Sequence, residues 1–320
     1  MFATLAFLLA AASPAPASSC GTATAFVGTI CAPQTPGKHP AILMLGGSEG
    51  GDMMARIAPQ FAAQGYVAAS VAYFKMPGLP QTLENIPVET IGKAIDDIAR
   101  RPDVDANRIA IMGASKGGEL ALLAASTYPQ IHAVVADVPS PFAWQGIAQG
   151  PGPATSSWTV GGKPVPFVHY SSTMGEVFGA AFTTHQPLDL RKGYDAAMQQ
   201  NTSEIPAAMF HLENIRGPVL MLAAGDDQIW NSVAQSQIGM EYLHAHRHPY
   251  ADRFLQYPGA GHVFLLASPQ HPLTQAPMGP MTLLLGGTPQ ANVNAAKQAW
   301  PAVFTFLQNA LQAAGNEPGK

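Results

Sequence analysis

Charged side chains are scarce. Asp, Glu, Lys and Arg make up 11% of the 320 residues, where soluble proteins typically carry roughly 25%. The 16 basic and 20 acidic residues are scattered, giving a formal net charge of −4 with no block of one sign. Without such a block nothing in the chain can track a phosphate backbone or an anionic membrane, so nucleic acid is not an expected partner. Long apolar runs are also lacking: the run Phe2 to Ala12 is shorter than the ~20 residues that span a bilayer, which argues against an uncleaved membrane anchor. What the chain does have is 47% apolar residues, 31 Gly and 29 Pro, enough for a large core in one α/β domain with many turns.

The apolar run is followed by Ser13-Pro14-Ala15-Pro16-Ala17, in which Ala15 and Ala17 are spaced like a signal-peptidase site. Residues 1–19 are therefore expected to be a cleaved signal peptide, although no Lys or Arg precedes the run, and the mature protein is expected in the periplasm or outside the cell. Only two cysteines exist, Cys20 and Cys31, flanking the strand-like Thr24 to Ile30. In an oxidising compartment they are expected to form a disulfide, with free thiols or a lipidated Cys20 as the alternatives.

From Pro40 onward, short apolar or β-branched runs alternate with helical patterns, the mark of βαβ units and a parallel sheet. Strands are expected at Ala41–Leu45, Val67–Ala72, Arg108–Met112, Ala133–Asp137, Pro218–Ala223 and Arg253–Tyr257, and helices near 52–64, 88–101, 116–127, 230–246 and 290–313. Right-handed crossovers make this a doubly wound, mostly parallel sheet. Between about 139 and 212 the rhythm breaks into Gly/Pro-rich stretches, short helices and a hairpin (Trp158–Val160, turn Gly161-Gly162-Lys163, Val165–His169). This segment reads as an inserted cap over the carboxyl ends of the strands, where open α/β sheets bind ligands. The expected organisation is thus a leader at 1–19 and a single domain over 20–320.

The chemistry centres on Ile109-Ala110-Ile111-Met112-Gly113-Ala114-Ser115-Lys116-Gly117-Gly118, a strand running through G-x-S-x-G into an alanine-rich helix. That is a nucleophile elbow in its expected context: side chains at 113 and 117 would collide in the sharp turn, and Ser115 is left projecting above the sheet. A serine hydroxyl is a weak nucleophile at neutral pH and needs a base, which in turn needs an orienting carboxylate. Downstream, the strand ending at Ala223 runs into Ala224-Gly225-Asp226-Asp227-Gln228, and the strand ending at Tyr257 runs into Pro258-Gly259-Ala260-Gly261-His262. His262 is the candidate base. The turn alone does not separate Asp226 from Asp227; the one that does not orient the imidazole is expected to hold its loop as a turn acceptor.

An oxyanion hole takes two backbone N–H groups. One is expected from Lys116, directly after the nucleophile. The other is expected from Leu45-Gly46-Gly47-Ser48-Glu49-Gly50-Gly51, where Gly46 and Gly47 allow close approach and Ser48 N–H is the expected donor. The loop matches neither a P-loop nor a dinucleotide fingerprint, and it carries an acid where phosphates would bind. His244, His246 and His248 alternate in a way a metal site could use, but histidines near a helix C-terminus are the simpler account, and neither metal nor cofactor is expected.

With these residues in view, the chain resembles the catalytic domain of the acyl-CoA thioesterase and bile acid-CoA:amino acid N-acyltransferase family, within the dienelactone-hydrolase-like α/β-hydrolases. The resemblance runs from about Pro40 to Phe306 and rests on Leu45 to Gly51, Ala72-Tyr73-Phe74, Gly113 to Gly117, Ile215-Arg216-Gly217-Pro218, Gly225 to Ser232 and Tyr257 to His262. It implies the α/β-hydrolase fold and places the catalytic carboxylate at the second aspartate, Asp227. The family's acyltransferase branch uses a cysteine nucleophile, so Ser115 resembles the hydrolytic branch. Members commonly carry a β-sandwich domain ahead of the catalytic one, which is not expected here. The leader and a cap with few cations (Lys163, Arg191, Lys192) point away from acyl-CoA as a settled substrate.

The expected activity is therefore hydrolysis of a small acyl ester or thioester through an acyl-enzyme on Ser115. Two other readings stand beside it: a non-catalytic binding protein on a hydrolase scaffold, and acyl transfer to an amine or alcohol.

Overall fold

A computed structural model of the chain describes residues 18–148, 150 and 152–315. The expected leader lies outside the described residues except for Ser18 and Ser19, which open the first strand. That strand, β1 (Ser18–Thr22), pairs antiparallel with β2 (Gly28–Pro33), and Cys20 faces Cys31 across the pair. The two sulfurs are joined in a disulfide. The strand expected at Thr24–Ile30 is displaced toward the C-terminus. Residues 24–27 bend instead, so that Phe26 packs against the core and the Val27 carbonyl accepts the amide of Ala72 at 2.9 Å.

The chain then runs through β3 (His39–Leu45), α1 (Ala58–Ala63), β4 (Val67–Val71), a two-residue β5 (Ile86–Pro87), α2 (Glu89–Ala99), β6 (Val104–Ala114), α3 (Lys116–Thr127) and β7 (Ala133–Asp137). After an insertion it returns with β10 (Val219–Ala224), α7 (Ser232–Ala245) and β11 (Arg253–Tyr257). Between β7 and β10 lie β8 (Trp158–Val160), β9 (Lys163–Pro164), α4 (Ser172–Thr184), α5 (Leu190–Gln200) and α6 (Ile205–Ala208). A hairpin, β12 (Gln275–Met278) and β13 (Met281–Leu284), precedes the closing helix α8 (Pro289–Gly315).

The main sheet has eight strands in the order β1-β2-β4-β3-β6-β7-β10-β11. Its six strands from β4 to β11 are parallel, and the N-terminal hairpin adds antiparallel at one edge. Both faces are covered, as a parallel sheet requires. The side chains of β3 show the alternation: Ala41, Leu43 and Leu45 enter the core on the side of α2 and α3, while Ile42 and Met44 enter the core on the side of α1 and α8.

The insertion is tied back to the body by β8, which pairs parallel with β5. The expected hairpin forms, but its second strand is Lys163–Pro164 rather than Val165–His169. Gly161 and Gly162 both take positive φ, +57° and +73°, so a two-residue turn closes the pair immediately, as the twist of a hairpin favours. Val168 instead lines an aromatic cluster with Phe142, Trp144, Tyr194 and Trp230.

Candidate active site

Ser115 follows the end of β6 with φ of +56°, a conformation that costs a non-glycine residue on the order of 1–3 kcal/mol. The glycines on either side explain why the motif tolerates nothing larger. A Cβ at position 113 would lie 1.9 Å from the Gly117 carbonyl oxygen, and one at 117 would lie 2.2 Å from that of Gly46. The Ser115 amide donates to the Asp137 carbonyl at 2.9 Å, which pins the elbow to the neighbouring strand.

Three side chains far apart in sequence meet here. The Nε2 of His262 lies 2.8 Å from Ser115 Oγ, and its Nδ1 lies 2.9 and 2.8 Å from the two carboxylate oxygens of Asp227. A carboxylate only accepts, so the imidazole proton sits on Nδ1 and Nε2 is left bare to accept the serine hydroxyl. Asp227 is fully buried and His262 is 6% exposed. The carboxylate is further held by the amides of Ile229 and Trp230, at 2.9 and 3.2 Å. The indole of Trp230 stands edge-on to the His262 ring with centroids 5.6 Å apart.

Asp226 has other work. Its oxygens accept from Gln228 Nε2 at 2.7 Å and from the Gly287 amide at 2.9 Å, the loop-holding role expected of the aspartate that does not orient the imidazole. Sequence reasoning missed the strap to which it binds. The β12–β13 hairpin delivers Leu285, whose carbonyl accepts the His262 amide at 2.7 Å, and Asn292 at the start of α8, whose Oδ1 accepts the Gly261 amide at 2.7 Å. The signals were present in Met278-Gly279-Pro280 and in Gly286-Gly287 ahead of Thr288-Pro289, which punctuate a turn and a helix start.

Of the expected oxyanion donors, Lys116 opens α3, where no carbonyl lies one turn behind to engage its amide. The Gly47 amide donates to Glu49 Oε1 at 3.0 Å, so it is already engaged within its own loop. The two loops are in contact: a Cβ on Gly47 would sit 3.2 Å from Ser115 Cβ.

Asp137, at the end of β7, is a buried acid that sequence reasoning passed over. It is 2% exposed, and its Oδ1 has no hydrogen-bond partner among the described residues. Burial, and then the charge of Asp227, pushes its carboxyl well above the usual carboxylate range, which favours the neutral form.

Among the described residues no three His, Cys, Asp or Glu side chains are placed to hold a metal ion. The three alternating histidines diverge. His246 stacks on Tyr242, whereas His248 turns inward to Asp252 and the Ile215 carbonyl at 2.6 and 3.0 Å.

The profile of the family described as BAAT / Acyl-CoA thioester hydrolase C terminal matches residues 86–313. The chain belongs to this family. Among curated members, mouse (Mus musculus) acyl-coenzyme A thioesterase 6 is 27% identical over 301 residues, covering 91% of this chain and 64% of that protein. Human (Homo sapiens) mitochondrial acyl-coenzyme A thioesterase 2 is 27% identical over 294 residues, covering 89% and 55%. Mouse acyl-coenzyme A amino acid N-acyltransferase 1 is 25% identical, covering 91% and 64%. The chain thus spans less than two thirds of the length of these relatives. Among solved structures, a putative dienelactone hydrolase from Klebsiella pneumoniae superposes with a TM-score of 0.55 at 16% identity, covering 91% of this chain and 99% of that one. An esterase from Pyrobaculum calidifontis gives 0.52 at 16% identity, covering 88% and 80%. Both share the α/β-hydrolase fold with this family member.

Proposed function

We propose that this protein is a serine hydrolase that cleaves a small acyl ester or thioester through an acyl-enzyme on Ser115. The observation that carries the reading is the unbroken chain from Ser115 Oγ through His262 to Asp227, each link 2.8 Å long at its shortest. His262 takes the hydroxyl proton as Oγ attacks the acyl carbon, and the oxyanion is met by the amides of Lys116 and Ser48. The imidazolium then protonates the departing alcohol or thiol. Water, deprotonated by His262, attacks the acyl-enzyme; the acyl–Oγ bond breaks, the imidazolium returns the proton to Ser115 Oγ, and the acid leaves. The curated thioesterase relatives support the same class of bond. The expected leader on residues 1–19 makes export part of the proposal; the mature N-terminus of protein recovered from outside the cytoplasm tests it.

A panel of p-nitrophenyl esters and acyl thioesters, assayed with wild type and Ser115→Ala, tests the activity. The reading requires turnover of at least one substrate and its loss in the variant. Turnover of every substrate at wild-type rate by Ser115→Ala would refute it. Adding a competing amine separates hydrolysis from transfer by product analysis.

A further inference from the structure

A buried ion pair lies directly behind the elbow, and the mechanism above does not use it. Lys116 and Glu119, 1% and 0% exposed, meet within α3 with Nζ 2.7 and 2.8 Å from the two carboxylate oxygens. Charges so deep in a protein cost several kcal/mol each in desolvation unless every polar atom is satisfied, and here the partners come from the insertion. Ser157 Oγ accepts from Lys116 Nζ at 2.8 Å and itself donates to the Trp144 carbonyl at 2.8 Å. Glu119 Oε1 accepts the Trp144 amide at 3.1 Å and the Trp158 indole N–H at 2.6 Å. One carboxylate therefore holds two separate segments of the insertion, at Trp144 and at Trp158.

Trp158 connects this cluster to the other half of the oxyanion hole. Its ring has Lys116 Nζ 5.2 Å from the centroid, and it packs against the ring of Tyr73 at 5.9 Å. The Tyr73 hydroxyl donates to the carbonyls of Gly46 and Gly47, at 2.7 and 3.2 Å. The Gly47 carbonyl belongs to the same planar peptide as the Ser48 amide, so a hydrogen bond that fixes one fixes the direction of the other. Burial, reinforced by the charges of Glu49 and Glu119, holds the Tyr73 phenol well above its ordinary range, so it remains a donor.

We propose that Tyr73 and the Lys116–Glu119 pair, joined through Trp158, are positioning residues that set the two oxyanion amides and tie them to the docked insertion. The proposal rests on the reading of Ser115 as nucleophile. It predicts that loosening the cluster weakens the transition state while leaving the fold intact: Tyr73→Phe removes a hydroxyl alone, whereas Trp158→Phe also takes volume from a fully buried site and lowers Tm further.

Labelling of wild-type Ser115 by a fluorophosphonate establishes the nucleophile independently. Tyr73→Phe and Trp158→Phe are then compared with wild type in kcat/KM for a p-nitrophenyl ester, affinity for phenylboronic acid, and melting temperature. The boronate matters because its tetrahedral adduct places an oxygen where the oxyanion forms. A misdirected amide should lower kcat/KM and boronate affinity together by about 10- to 100-fold, as a misplacement of about 1 Å and lost oxyanion donors do elsewhere, with the Tm of Tyr73→Phe within about 5 °C of wild type. Either folded variant keeping both quantities within about twofold of wild type would overturn the proposal. So would a fall in kcat/KM with boronate affinity unchanged, or unfolding of both variants, since the cluster would then be structural support alone.

Discussion

Asp226 and Asp227 are adjacent in the chain and serve different partners: the carboxylate of Asp227 holds His262 Nδ1 at 2.8 Å, while that of Asp226 holds the Gly287 amide at 2.9 Å. One turn thus supplies both the acid that orients the imidazole and the acid that straps the loop over it.

Replacing each by asparagine separates the roles. Asp227→Asn offers the imidazole a donor as well as an acceptor and permits the wrong tautomer, so kcat should fall about 10⁴-fold, as in other triads. Asp226→Asn still accepts from Gly287 and should stay within about tenfold of wild type, the loss expected of a weakened loop hydrogen bond. Steady-state kinetics on one ester checks both. Equal losses in the two variants would contradict the assignment.

Asp137 gives a pH-dependent stability. Its folded pKa is raised by burial and by Asp227 above the ordinary 3.8, so the folded state binds its proton more tightly than the unfolded chain does. Its contribution is complete below that ordinary value and fades as pH rises toward the folded one. Asp137→Asn escapes this loss. The Tm of the variant relative to wild type should therefore climb as pH rises above about 4, with ester turnover retained. A difference that stays flat with pH would mean that Asp137 is not held neutral.

His248 carries the same sign through a different cause. Burial alone would lower its pKa, but hydrogen bonds to Asp252 and the Ile215 carbonyl, with the charge of Asp252, outweigh that and raise it above 6.5. Both ring nitrogens face acceptors, and Tyr250 packs against the ring at 5.0 Å. Its stabilisation is full below the unfolded value and is lost as pH rises through the folded one. The Tm deficit of His248→Gln should be largest below about pH 6.5 and shrink as pH rises above it.

The disulfide closes the N-terminal hairpin, with the two cysteines 11 positions apart. Replacing both by serine should cost about 2–3 kcal/mol through the freed loop of the unfolded chain, read from the denaturant midpoint. An unchanged midpoint on reduction would show that the edge hairpin contributes nothing to global stability.

The framework was legible because a parallel sheet writes itself in the sequence. Buried strands such as Ala133–Asp137 are short apolar runs, and the elbow is dense with residues whose substitution is sterically barred. The choice between Asp226 and Asp227 was not legible from the turn, since it depends on Gly287 and Leu285 arriving from sixty residues downstream. The second strand of the hairpin at 163–164 was missed because Val165–His169 has strong β propensity, yet burial of Val168 in the aromatic cluster overrode it. The buried Lys116–Glu119 pair was hidden for the opposite reason: Lys and Glu three apart at a helix start ordinarily read as a solvated surface pair.

The central claim is that Ser115 is made nucleophilic by His262. Wild-type protein treated with a fluorophosphonate, digested and mapped by mass spectrometry, tests this most directly. A single adduct on Ser115, formed far more slowly in His262→Ala, is the predicted result. An adduct at another residue, or active protein that forms none, would contradict the account.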